Sequence, residues 1–277
     1  MIHEIIEIHL EDTALGAVPN GCQPKLYTYV LDNYPDIDPD RHRPAVVICP
    51  GGGYEMTSDR EAEAIAVRLN ALGFQAFILR YSVAPSVFPR ALAELAYSVA
   101  LVRERAEEWH VDPHRITVGG FSAGGHLACS LGVFWKENFL SSILKRETAL
   151  WRPNSLMLCY PVITSGEFAH QGSFVNLLGD RYEQFLNRVS LETQIDENVP
   201  PTFLWHTYED ETVPVENSLM LAWALKRHNI PLEMHIYQHG GHGLSLATEE
   251  TKWVGHNGVQ PECANWIELF ATWAKGL

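Results

Sequence analysis

The sequence predicts an α/β protein: a mostly parallel, doubly wound sheet of about eight strands with helices on both faces. Three observations predict it. Short apolar runs alternate with helix-compatible stretches along nearly the whole chain. The middle runs, such as Ala45-Val46-Val47-Ile48-Cys49, are apolar without alternation, as strands covered on both faces must be. A length of 277 residues with 46% hydrophobic content is enough for one large core.

Taken in order, strands are expected at 3–10, 25–31, 45–49, 74–80, 115–119, 155–160, 202–207 and 233–238. The first two are expected to form an antiparallel edge. Residues 32–40 are polar and broken by Pro35 and Pro39, which reads as a surface loop. Ser58 and Glu61 have the spacing of a capping box and open a helix that Gly73 closes. In the next helix Leu92, Leu95, Val99, Val102, Ala106 and Trp109 share one face, a packing stripe against the sheet. Two segments interrupt the alternation, at 134–153 and 162–200. They are expected as loop or cap insertions in a single domain spanning 1–277. In the second, Phe168, Phe174, Leu177, Leu178 and Phe185 suit the wall of an acyl or sugar pocket and an ordinary packed helix equally well.

Chemistry concentrates where apolar runs end. Gly120-Phe121-Ser122-Ala123-Gly124 fits G-x-S-x-G, with an apolar run before it and a helix-compatible run after it. A strand–turn–helix of this kind strains the serine backbone and lifts its hydroxyl above the sheet edge. Gly120 and Gly124 are needed because strand and helix approach too closely there for side chains. Serine catalysis also needs a base, a carboxylate to orient the base, and N–H groups for the oxyanion. Pro50-Gly51-Gly52-Gly53-Tyr54 follows the third apolar run and offers such N–H groups. It lacks the spacing of a phosphate-binding loop. Asp210 follows the run 202–207, at the carboxyl end of a strand where open sheets bind ligands, with Glu209 and Glu211 as rivals read as solvated. His242 lies in a glycine-rich loop after the run 233–238, with His239 as its competitor. His126 and His206 read as packing residues or as supports for the site, since most of the 13 histidines must be structural.

The motifs P-G-G-G-Y at 50–54, G-F-S-A-G-G-H at 120–126, D-E-T-V-P at 210–214 and H-G-G-H-G at 239–243 together resemble an α/β-hydrolase. The similarity is to the acetyl esterase/lipase type, among acetylxylan-esterase-like and hormone-sensitive-lipase-like esterases, and runs from about residue 25 to the C-terminus. The resemblance implies Ser122 as nucleophile, Asp210 as acid, His242 as base, and Gly52, Gly53 and Ala123 as oxyanion donors. Tyr54 and Phe121, inside the same motifs, are expected at the substrate. Hormone-sensitive-lipase-like members carry histidine before the glycines, and Pro50 stands there instead, which favours the sugar-ester branch. The expected reaction is two-step hydrolysis of short acyl esters, acetyl foremost, with an alcohol drawn from sugars or xylo-oligosaccharides. A serine exopeptidase or amidase, or a lipase, is the enzymatic alternative. A catalytically silent binding module is the other, and no member of the triad is missing to suggest it.

A net charge of −14 argues against nucleic acid, anionic substrates and anionic membranes and suits a small neutral ester. The N-terminus has no basic stretch followed by an apolar one, and no run reaches membrane-span length. The five cysteines, Cys22, Cys49, Cys129, Cys159 and Cys263, are odd in number and not closely paired. Free thiols in a cytoplasmic protein are expected, with no zinc spacing, no metal and no organic cofactor. A homodimer is left open.

Overall fold

All eight expected strands form one sheet, in the order β1-β2-β4-β3-β5-β6-β7-β8. The structure, a computed structural model, describes residues 1–10, 15, 23–255 and 258–277. The strands are β1 (Ile5–Glu7), β2 (Lys25–Tyr29), β3 (Arg43–Cys49), β4 (Gln75–Arg80), β5 (Val111–Phe121), β6 (Ser155–Cys159), β7 (Thr202–Thr207) and β8 (Leu232–Tyr237). β1 and β2 are antiparallel to their neighbours, and every pairing from β4 through β8 is parallel. The expected antiparallel edge is therefore present. β5 starts four residues before the expected 115, because a register shift lets Val111 pair with Arg43 ahead of the main ladder. The Asp112-Pro113 pair reads locally as a turn, and Asp112 does accept the N–H of His114.

The helices are α1 (Glu63–Ala71), α2 (Arg90–Glu104), α3 (Ala123–Phe134), α4 (Asn138–Leu144), α5 (Gln171–Leu178), α6 (Tyr182–Phe185), α7 (Glu216–Arg227) and α8 (Trp266–Gly276). Period-two alternation sends neighbouring strand residues to opposite faces. Val47, Val118, Leu158 and Leu204 pack with α2, α3 and α7. Val46, Ile48, Met157 and Trp205 pack with α1 and α8 on the other face. Both faces are covered, which is why the central strands read as unbroken apolar runs. The predicted stripe on α2 is buried throughout, from Leu92 to Val102. Ala106 and Trp109 continue it past the last helical turn into the same core.

The capping box is corrected. Ser58 makes no side-chain cap to the short 3₁₀ turn Asp59–Glu61, and Glu61 turns inward and is buried. Gly73 does end the helical segment, with a φ of +88°. In the segment 134–153, Trp135 and Trp151 are core residues. In 162–200, Phe174, Leu177 and Leu178 are buried on the domain, as the packing reading has them, while half-buried Phe185 packs on Phe88 and lines an apolar cavity with it. Cys49, Cys129, Cys159 and Cys263 are free and buried, and Cys22 lies outside the described residues. No helix among the described residues is long and apolar enough to cross a membrane.

Candidate active site

The turn from β5 into α3 holds Ser122 at φ 52°, ψ −120°, a conformation that L-residues avoid. Close packing enforces it. A Cβ on Gly120 would lie 2.0 Å from the Gly124 oxygen, and one on Gly124 would lie 2.1 Å from the Cys49 oxygen. The turn is pinned by Ser122 N–H to Cys159 O at 3.0 Å and by Val162 N–H to Ser122 O at 3.1 Å. The serine hydroxyl thus stands at the carboxyl edge of the parallel strands.

Two other strand ends meet it there. Ser122 Oγ is 2.8 Å from His242 Nε2, and His242 Nδ1 is 2.6 Å from Asp210 Oδ2. Nδ1 faces a carboxylate and so carries the proton, which leaves Nε2 as an acceptor for the serine hydroxyl. Asp210 is buried, and its Oδ1 accepts the N–H groups of Thr212 and Val213 at 3.0 and 2.9 Å. Its Oδ2 also accepts from His206 Nε2 at 3.2 Å. Burial alone raises a carboxyl, but the hydrogen bonds from His206 and His242 outweigh it and hold Asp210 well below the usual carboxylate range. His206, fully buried, is fixed in turn by Ser218 Oγ at 2.7 Å. Of the two readings left open for His206, packing or support, the contact with Asp210 favours support.

The rivals are elsewhere. His239 and Glu209 pair with each other on the surface at 2.9 Å, each more than half exposed. Glu211 is exposed as well.

The glycine loop is held by its carbonyls. Pro50 O accepts from Tyr81 Oη at 2.6 Å, Gly51 O from Ser58 N–H at 2.9 Å and Gly52 O from Glu55 N–H at 3.0 Å. Gly53 O accepts from Asn176 Nδ2 at 2.9 Å and Tyr54 O from Ala84 N–H at 2.8 Å. Gly51 N–H is taken by Glu61 Oε2 at 2.8 Å. Among the described residues, the N–H groups of Gly52, Gly53 and Ala123 have no protein acceptor. Gly52 and Gly53 have φ of +128° and +63°, which explains why glycine is needed at both. The loop with free N–H groups and the N-terminus of α3, whose first N–H at Ala123 is unpaired among the described residues, can together receive a negative oxygen.

Two expectations are corrected. Tyr54 is 3% exposed with its hydroxyl 2.9 Å from His126 Nδ1, so it braces the loop from below instead of facing a substrate. Phe121 points into the opposite core, against Tyr160 and Trp266, because it is the strand residue next to one that points up. His126 is fully enclosed, and burial pulls it down to about 4 although it donates to Val189 O. It is a packing residue.

Three neighbours of the site carry no functional signal in the sequence. Glu61 braces Gly51. Tyr160 sets its ring edge-on to His242 at 5.1 Å between centroids. His170 stands beside the glycine loop, its Nδ1 2.9 Å from Ser173 Oγ, and the Cβ that Gly53 lacks would lie 4.0 Å from its Cε1. Burial first, and then the charge of His242, holds His170 below its ordinary value, against the pull of Asp210. A tyrosine after an apolar run and a histidine before a helix carry no local signal of such placement. Among the described residues no group of three or more His, Cys, Asp or Glu is placed to hold a metal.

The BD-FAE family model matches residues 31–225. Endo-1,4-beta-xylanase B of Butyrivibrio fibrisolvens is 33% identical over 235 residues, 83% of this chain and 36% of that protein. The acetylxylan esterase of Xylanibacter ruminicola is 28% identical over 232 residues, 81% of this chain and 45% of its own. The chain thus spans less than half the length of these two relatives. Among solved structures, the acetyl ester-xyloside bifunctional hydrolase of Caldicellulosiruptor lactoaceticus superposes with a TM-score of 0.83 at 34% identity, covering 99% of this chain and 96% of that one. The carboxylesterase Cest-2923 of Lactobacillus plantarum superposes with a TM-score of 0.85 at 26% identity, covering 100% and 98%.

Proposed function

The chain belongs to the BD-FAE family, with an α/β-hydrolase fold, and from that premise we propose that it is a serine carboxylesterase acting on short acyl esters, acetyl foremost, of neutral, carbohydrate-like alcohols. The observation that carries this reading is the unbroken hydrogen-bond chain Ser122–His242–Asp210, at 2.8 and 2.6 Å.

In the reaction, His242 Nε2 takes the Ser122 proton as the hydroxyl oxygen attacks the ester carbonyl. Asp210 keeps Nδ1 protonated and stabilises the imidazolium. The developing oxyanion is met by the N–H groups of Ala123, Gly52 and Gly53, one such donor lowering the barrier by about 3 kcal/mol. His242 gives its proton to the leaving alkoxide, and the alcohol departs. A water then loses a proton to His242 as its oxygen attacks the acyl-enzyme carbonyl, and the second adduct collapses with His242 Nε2 returning that proton to Ser122 Oγ as the acid is released. His170 stands beside the glycine loop.

The alcohol and acyl preferences are supported by three things. Relatives include an acetylxylan esterase and an acetyl ester-xyloside hydrolase. The net charge of −14 repels anionic substrates and anionic lipid surfaces. The helices α5 and α6 that follow β6 are short and packed on the domain rather than laid out as a long amphipathic lid. The reading takes residues 1–277 as one domain with insertions at 134–153 and 162–200, and the buried free thiols fit a reducing, cytoplasmic setting.

A panel of p-nitrophenyl esters of rising acyl length, run beside acetylated xylose and xylo-oligosaccharides, tests it. Overfilling an unyielding acyl site costs about 1–3 kcal/mol, so kcat/KM should fall roughly 10-fold or more from acetyl to octanoyl. Acetate should be released from the acetylated sugars. Equal or faster turnover of decanoyl esters, or activation by emulsified triglyceride, would move the protein to the lipases. Cleavage of acyl-peptides in preference to esters would move it to the exopeptidases.

A further inference from the structure

The glycine loop follows β3 and the His242 loop follows β8, far apart in sequence, yet one carboxylate reaches toward both. Glu61 is 4% exposed. Its Oε2 accepts the Gly51 N–H at 2.8 Å, and its Oε1 accepts the Tyr160 hydroxyl at 2.7 Å. The Tyr160 oxygen accepts the Ser245 N–H at 2.9 Å, three residues beyond His242, and the Tyr160 ring lies edge-on to His242. Ser245 Oγ donates to Arg60 O at 2.6 Å, which closes the circuit at the residue next to Glu61. Arg60 Nη1 donates to Gly243 O at 2.8 Å and Arg60 Nε to Thr251 O at 2.6 Å, clamping the histidine loop from the same side. Tyr160 and Ser245 both have positive φ, at 38° and 56°, so this circuit holds backbone in conformations that would relax without it.

We propose that Glu61 is a positioning residue that sets the oxyanion loop and the His242 loop relative to each other, through Gly51 on one side and Tyr160 on the other. This rests on the esterase reading above. A carboxylate suits the place because both of its oxygens meet donors, a backbone N–H and a phenol O–H. A glutamine cannot satisfy both. With its oxygen toward Gly51, its amide meets the Tyr160 oxygen and leaves the phenol proton without an acceptor. Turned the other way, its amide meets the Gly51 N–H. The consequence falls on the transition state, since an oxyanion hole displaced by a fraction of an ångström fails where charge develops and little elsewhere.

The test is kcat and KM for p-nitrophenyl acetate in Glu61→Gln, Tyr160→Phe and the double variant, with affinity for a trifluoromethyl ketone that mimics the tetrahedral adduct. Circular dichroism and urea unfolding verify that each variant is folded. Glu61→Gln is expected to lower kcat about 10- to 100-fold with KM nearly unchanged. Ketone affinity should fall by the same factor as kcat/KM. Tyr160→Phe should show part of that loss, and the double variant should be no worse than Glu61→Gln, because both act through one link. Unchanged kcat in folded variants, a loss confined to KM, or additive losses would each overturn the proposal. Should Glu61→Gln fail to fold, Tyr160→Phe decides alone, since it removes one oxygen and keeps the ring. A wild type inactive on every ester would overturn both readings. An active wild type with unaffected variants overturns only this one.

Discussion

Asp210 accepts four hydrogen bonds from a buried position, two from backbone N–H groups and two from histidines, whereas Glu209 one residue earlier is on the surface. That contrast yields a sharp expectation. Asp210→Asn and His242→Ala should each lower kcat on the order of 10³–10⁶-fold. Glu209→Gln and His239→Ala should stay within a few-fold, because an exposed ion pair contributes little. Steady-state kinetics on p-nitrophenyl acetate separate the two sets, and comparable losses in both would displace the acid or the base. Asp210 and His242 were legible in the sequence because each follows an apolar run in a motif that only a loop at a strand end explains. Glu61 was not. Its spacing from Ser58 fits a helix cap as well, and only the fold shows the carboxylate turned inward onto Gly51. A second residue-scale prediction concerns pH. Burial pushes Glu94 from its ordinary 4.5 up to about 7, although Ser82 and Arg90 pull it down. The folded protein therefore keeps a proton that the unfolded chain has lost between those values, and stability falls as pH rises through that window. His126, held at about 4 against an ordinary 6.5, has the opposite sign and loses stability as pH falls through its own window. The two partly cancel between pH 4.5 and 6.5. Glu94→Gln, a permanent mimic of the neutral acid, should gain on the wild type by up to about 3 kcal/mol between pH 5 and 8, read from urea midpoints. A difference that does not change with pH would refute this.

The elements carry the site by close approach. β5 and α3 nearly touch at Gly120 and Gly124, and a methyl on Gly124 would meet two carbonyl oxygens, of Cys49 and Pro50, at 2.1 and 2.4 Å. Backbone cannot yield there without moving β3 and the glycine loop. Gly124→Ala is thus expected to destabilise by more than about 3 kcal/mol or to abolish folding, measured by urea unfolding or by soluble yield. Near-native stability would mean that the turn is looser than the geometry states. α8 has a separate task. Trp266 is fully buried, stacks on Trp205 at 5.4 Å and donates to Ser245 O at 2.9 Å. Trp266→Phe keeps most of the apolar volume and removes the donor to the histidine loop. It should cost about 1–3 kcal/mol in stability, with the same unfolding measurement as its check. The sequence made the strands legible because five parallel strands buried on both faces must be apolar throughout. Their ends were less so. Asp112-Pro113 reads as a turn on its own, and only the pairing of Val111 with Arg43 extends β5 past it. The second insertion was ambiguous for a related reason: Phe174, Leu177 and Leu178 sit at helical spacing whether the helix walls a pocket or covers a core.

At the scale of the molecule, two cores on opposite faces of one sheet hold three strand ends and one glycine loop at a common edge. A net charge of −14 disfavours the approach of anions and leaves neutral ligands unhindered. The same charge predicts that acetylated neutral xylose will be hydrolysed faster than its counterpart bearing a uronic acid. Kinetics at low and high salt check it, since screening should narrow the gap. The fold class and strand order were legible because they depend on patterns repeated over many residues. The placement of His170 beside the glycine loop was not, because it is set by a tertiary contact that no local motif records. The central claim is that Ser122 is the covalent nucleophile of an acyl-transfer site, and the most direct measurement traps the adduct. The protein is treated with a fluorophosphonate, digested and mapped by mass spectrometry. The account predicts one adduct on Ser122 that rises in step with the loss of ester hydrolysis and is absent in His242→Ala over the same interval. Labelling at another residue, or full hydrolysis by Ser122→Ala, would contradict it.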